Sequence, residues 1–164
     1  ELQPFEKNNN YFDLSGVSLN NPFMNIFLLY TAKLVVCSAS GPNHLPHTFG
    51  KPCLWTNIFP TASVPILKKD RYIHKRWEKN GKKLTLEEIY KTDLSRSFLK
   101  ENFNGSSIKI IDNNENEIFL AVKEILDNIE NGFKVSKYQI KIHNERVKLG
   151  YPEGGGYVCN SFKY

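Results

Sequence analysis

The residues of this chain best suited to chemistry lie in the segment 38–52, SASGPNHLPHTFGKP. Ser38 and Ser40 carry hydroxyls that can donate to phosphate oxygens, and Gly41 admits a positive φ or an unusually close ligand approach. Pro46 cannot sit deep inside a helix without losing a hydrogen bond and clashing with the preceding turn. A helix is therefore predicted to start near Asn43, just after Pro42, and to end before Gly50. The free N–H groups of Asn43, His44 and Leu45, with the positive end of the helix dipole, would then suit a diphosphate. His44 faces that position as a neutral donor to phosphate or ribose, whereas His47 lies almost one turn further on. A purely structural tight turn fits the same residue types. The His-x-x-His spacing can bind metal, but no acidic or cysteine partner lies nearby in sequence, so no metal is expected. Asp13, Asp70 and Asp112 are candidate acid/base residues that sequence spacing leaves unpaired. Asp112 and Asn113 either reach a ribose or sugar hydroxyl or build the turn into the next helix.

The elements that would position this segment are legible in the hydrophobic pattern. Residues 33–37 (KLVVC) and 52–55 (PCLW) read as short strands covered on both faces, and 107–111 (SIKII) looks similar. Helical patterns alternate with them, which argues for an open parallel α/β sheet of Rossmann-like type. The carboxyl edge of such a sheet is where ligands bind, and Ser38 stands at the end of the first strand. Asn21-Pro22 opens a helix whose apolar face is Phe23, Ile26, Phe27 and Tyr30. Capping boxes at Thr85/Glu88 and Asn114/Glu117 start two more. The second of these carries Ile118, Ala121, Val122, Ile125 and Ile129 on one face, with Gly132 as its stop. Residues 58–83 show no clear period, and are read as a functional loop or as holding a short hairpin at Asn80-Gly81. A domain over 1–132 is expected, followed by an extension over 133–164 with a flexible joint at the glycines 154–156.

Composition narrows the class of protein. The 164 residues are 40% hydrophobic and 24% charged, ordinary values for a globular chain. The net charge of +5 concentrates in 68–83, KKDRYIHKRWEKNGKK, and permits an anionic partner without naming one. No nucleic-acid-binding pattern accompanies it. Cys37, Cys53 and Cys159 form no C-x-x-C pair and read as free thiols in a reducing compartment, so a cytoplasmic protein is expected. No Walker lysine motif, G-x-G-x-x-G or nucleophile elbow is present. The first residue is Glu1 rather than methionine, and an upstream region is an expectation.

With these residues in view, VVCSASGPNHLPHTFGKPCLWTNIFP resembles the C-terminal region of a bacterial group of glycosyltransferases. Further matches follow in order: ASVPILKKDRYIHKRW, GKKLTLEEIY and IKIIDNNENEI, together spanning roughly residues 11–130. The SGP-x-H-L turn is also similar to the donor-site turn of heptosyltransferases, although Ala39 stands where those enzymes carry Asp. His74 stands where the group has proline. The resemblance implies a GT-B architecture, with two Rossmann-like domains and a nucleotide-sugar held by the C-terminal one. It implies that Ser38, Ser40, Gly41, Pro42 and His44 line the diphosphate site, with Asn57 and Pro60 near the nucleotide or sugar. Lys69 and Lys75 would offset phosphate charge. The expected partners are a nucleotide-sugar donor, a glycan or lipid-linked acceptor in surface polysaccharide synthesis, and a missing N-terminal domain. Contact with the inner membrane face is a further expectation, and nucleic acid is not expected. A non-hydrolysing nucleotide-sugar epimerase and a non-catalytic sugar- or nucleotide-binding module are the alternatives.

Overall fold

A computed structural model describes residues 21–38, 44–97 and 99–162. Ser40, Gly41, Pro42 and Asn43 of the expected diphosphate turn, and Asp13, lie outside the described residues. The chain is a mixed α/β protein built on a four-stranded parallel sheet. Its strands are β1 (Val35–Ser38), β2 (Cys53–Ile58), β3 (Arg71–His74) and β7 (Tyr157–Val158), in the order β1-β2-β3-β7. A second, antiparallel sheet has the order β5-β4-β6, from β4 (Arg76–Lys79), β5 (Lys82–Lys83) and β6 (Ile108–Ile111).

β2 and β3 are the central strands, and both are buried almost throughout. β2 was expected there from its apolar run. β3 was not, because it lies within the basic stretch that reads as loop. Arg71 is nonetheless 0% exposed, since its guanidinium donates to the carbonyls of Lys68, Asp70 and Lys134 and to Asn128 Oδ1. A buried cation is tolerable when oxygen atoms replace its hydration shell.

Two sequence expectations about strands need correction. β1 is an edge strand of its sheet among the described residues, not a central one, and Val36 is 47% exposed. The run at 107–111 belongs to the antiparallel sheet, where β6 pairs with β4 from Arg76↔Ile111 to Lys79↔Ile108. An apolar run reports burial but not which neighbour supplies it. The hairpin expected at Asn80-Gly81 is present, with φ of 52° and 76° at its two turn residues and Lys79 paired with Lys82. Positive φ at both central positions is the turn geometry whose twist matches the strands.

The helices begin where their caps predict. α1 (Pro22–Thr31) is capped by Asn21, whose side chain accepts from Met24 N. α2 (Leu45–Thr48) is a single turn with Pro46 in its first positions and His44 as its N-cap. α3 (Leu86–Tyr90) and α4 (Glu115–Asn131) both have complete capping boxes at the foreseen residues. Ala121 and Ile125 of α4 are buried, and Ile118, Val122 and Ile129 pack beside them against the core. The α1 residues Phe23, Ile26, Phe27 and Tyr30 share a helix none of whose residues is buried.

Along β3, alternate residues face opposite ways. Arg71 reaches Asn128 on α4, while His74 meets Tyr90 on α3 at 3.2 Å. Helices thus cover both faces of the parallel sheet. Residues 133–164 differ from the expected extension. α5 (Lys137–Lys148) packs against β7, Gln139 Nε2 donates to Val158 O at 2.7 Å, and β7 pairs with β3. The glycines before β7 press on the 64–68 segment instead of forming a joint. A Cβ on Gly155 would stand 1.9 Å from Ile66 O, and one on Gly154 would stand 2.3 Å from Val64 Cγ2.

Candidate functional site

The carboxyl edge of the parallel sheet gathers Ser38 at the end of β1, Asn57 near the end of β2 and Lys75 just beyond β3. Ser38 and His44 are exposed, and the residues between them in the sequence lie outside the described set. His44 packs edge-on to Trp55, with ring centroids 5.8 Å apart.

Asn57 has a φ of 52° and sits in an irregularity of the β2–β3 pairing between Trp55 and Ile58. Its N–H donates to Asn113 Oδ1 at 2.7 Å, and its Oδ1 accepts from Asn113 N at 2.6 Å. Lys75 N donates to Ile58 O at 3.1 Å, and its ammonium pairs with Asp112 at 2.6 Å. Asp112 and Asn113 therefore join the two sheets at the carboxyl edge, and Asn113 builds the turn. Pro60 is buried behind this edge. A cleft of about 330 Å³ opens beside it, lined by Phe59, Lys75, Phe103, Ile108 and Ile110. Phe59 and Phe103 stand 5.6 Å apart in that lining and offer aromatic faces. A second cleft of about 500 Å³ adjoins the first, sharing Phe103 and Ile108 and reaching to the Asn80-Gly81 turn, with Glu78 and Lys109 as its charged groups.

Lys69 is not brought to this edge. It precedes β3, at the opposite, amino edge of the sheet, where its ammonium donates to Gly50 O. The amino edge holds a cluster that sequence spacing concealed. His47, Cys53 and Asp70 place one ligand-type atom each within 4.8 Å of the others. Cys53 N and Leu67 N both donate to Asp70, each at 3.0 Å. Burial raises the Asp70 carboxyl from its ordinary range, against the lowering effect of these N–H groups and of His47. Burial, then the Asp70 charge, pushes the Cys53 thiol up to about 12 and Cys37 up to about 11. The signal was present in the sequence only as residue types. Asp70 is 17 residues from Cys53, and strand pairing makes them neighbours.

His74, the position that departs from proline in the resemblance, is fully buried beside Tyr72 and Tyr90. Burial, then the Arg146 charge, lowers it to about 3, so it is a neutral core residue at ordinary pH.

Fold and edge together define a mixed α/β protein whose parallel sheet ends in a polar carboxyl edge beside an aromatic cleft. No protein-family model, curated protein or solved structure matches the chain. No helix among the described residues is long and apolar enough to cross a membrane.

Proposed function

We propose that this chain is the donor-binding, C-terminal part of a GT-B-type glycosyltransferase acting on a nucleotide-sugar. The observation that carries the reading is the position of Ser38, His44, Asn57 and Lys75 at or beside the carboxyl edge of a parallel sheet. That edge is where open α/β sheets take their ligands. Lys75 offers positive charge next to a cleft with two aromatic rings, a setting suited to a diphosphate joined to a flat base or a sugar face. In such a transfer the leaving diphosphate is stabilised by donors and cations held in place before reaction, and Ser38, His44 and Lys75 are the groups assigned here. Asn57 acts by shaping the edge, because its Oδ1 is already held by Asn113 N. Pro60 and Lys69 have no direct role. The acceptor and its catalytic base belong to the other side of the GT-B cleft.

Calorimetry with UDP, GDP and ADP tests the binding half of this reading. Binding of one nucleoside diphosphate, weakened by Ser40→Ala and by His44→Ala, is expected. No heat with any of them overturns it. For the parent protein, sugar transfer to an acceptor is the expected activity, and isomerisation of UDP-GlcNAc without any acceptor would identify an epimerase instead.

A further inference from the structure

The cluster at the amino edge has three features that an ordinary buried polar group lacks. First, it combines imidazole nitrogen, thiol sulfur and carboxylate oxygen within 4.8 Å, and two of its members, Cys53 and Asp70, are 0% exposed. Tetrahedral zinc takes these three donor types at about 2.0–2.3 Å, which sets ligand atoms about 3.4–3.8 Å apart. Side-chain adjustments of about 1 Å close the difference. Second, His47 is nine-tenths buried, and its Nδ1 has no hydrogen-bond partner. Its Nε2 faces Asp70 Oδ2 at 2.9 Å, so two of the three donors are already in contact. Third, the groups are already held in place. The His47 ring stacks on Trp55 with an interplanar angle of 6°, and backbone N–H groups of Cys53 and Leu67 fix the carboxylate. Hydrogen-bonded support of this kind orients metal ligands.

We propose that His47, Cys53 and Asp70 bind one divalent ion of the zinc type, tying the last turn of α2 to the starts of β2 and β3. Mixed nitrogen, sulfur and oxygen donors select a borderline-soft ion over magnesium or calcium. Charge balance favours burial. A Cys53 thiolate and an Asp70 carboxylate neutralise the two positive charges, and neutral His47 adds none. Binding releases the thiol proton to solvent and involves no electron transfer. Three protein ligands leave one position for an exogenous ligand. The His47 ring stands 6.0 Å from that of His44, but the metal site needs neither His44 nor any other residue of the nucleotide-sugar site, so metal binding is read out separately from nucleoside-diphosphate binding.

The test uses the untagged full chain, stripped with a chelator and titrated with Co²⁺ alone. One equivalent should bind with a thiolate-to-cobalt charge-transfer absorption, and Zn²⁺ should displace it. Cys53→Ser should remove that absorption, and Asp70→Asn should weaken binding at least roughly tenfold. Because both of these residues are fully buried, His47→Gln provides a gentler variant. Its fold is checked by circular dichroism, and it should lose the rise in Tm that Zn²⁺ gives the wild type. Absence of the charge-transfer absorption in wild type overturns the proposal. So does unchanged metal affinity in His47→Gln, which would leave only surface groups binding the ion.

Discussion

Asn57 and Asn113 each bind the other's backbone: the amide N–H of each donates to the side-chain oxygen of its partner, at 2.7 and 2.6 Å. Asn113 Nδ2 then donates to His74 O at 2.8 Å. Three hydrogen bonds so join the ends of β2, β3 and β6, which belong to two different sheets. The exchange explains the backbone at Asn57, whose φ of 52° is a conformation that asparagine adopts more readily than most residues.

Asn113→Ala removes the partner of Asn57 N and of His74 O together. Each unpaired group costs about 1–3 kcal/mol, so urea denaturation should show a clear loss of stability. Asn57→Gly keeps the backbone relaxed and loses only the acceptor for Asn113 N. Asn57→Val adds strain at positive φ and should be the less stable of the two, and equal stability would show that the backbone there is unstrained.

His74 gives a pH dependence with a definite sign. Its folded pKa is about 3, against 6.5 for a free histidine, so the unfolded chain binds the extra proton across that window. Stability from this residue is complete above the higher value and is lost as pH falls towards the lower. The slope is up to about 1.4 kcal/mol per pH unit. Asp70 is raised and contributes with the opposite sign, so the comparison is between wild type and His74→Gln. The wild-type advantage should shrink as the solution is acidified from about pH 6.5, a window set by the same linkage. A constant difference would mean that His74 is solvated.

Gly155 tests whether the C-terminal segment is built into the fold. A Cβ there meets Ile66 O at 1.9 Å, with backbone on both sides of the clash. Gly155→Ala should therefore cost about 1–3 kcal/mol by overpacking and raise hydrogen exchange in β7. A Cβ on Gly105 meets nothing within 4 Å, although its φ of 78° still penalises a side chain. Gly105→Ala should consequently cost less than Gly155→Ala.

Lys69 and His44, both expected at the phosphate site from the resemblance, separate by position. Lys69 is held at the amino edge by Gly50 O, so Lys69→Ala should leave nucleoside-diphosphate affinity nearly unchanged. His44 flanks the carboxyl edge, and His44→Ala should weaken binding roughly tenfold, the loss of one hydrogen bond to a charged group. Calorimetry distinguishes them, and a larger effect at Lys69 would move the site to the other edge.

What the sequence by itself determined is local. Asn21, Thr85 and Asn114 marked helix starts because a cap needs only a side-chain oxygen three residues before the N–H it accepts from. Asn80-Gly81 marked a hairpin because two positive φ values are a property of the turn alone. Pro46 placed the short helix after β1 for the same kind of reason. Tertiary structure decided what depends on neighbours distant in the chain. β3 became central because oxygen atoms from α4 and from residues around it accept the Arg71 charge, which composition alone marks as solvent-facing. β6 left the parallel sheet because β4 offered it an antiparallel partner. His47, Cys53 and Asp70 met because β2 and β3 pair in parallel, starting side by side although the chain between them runs the length of the sheet and back. Caps and turns are fixed by hydrogen bonds a few residues long, whereas sheet order and side-chain clusters are fixed by which surfaces the folded chain can bury together.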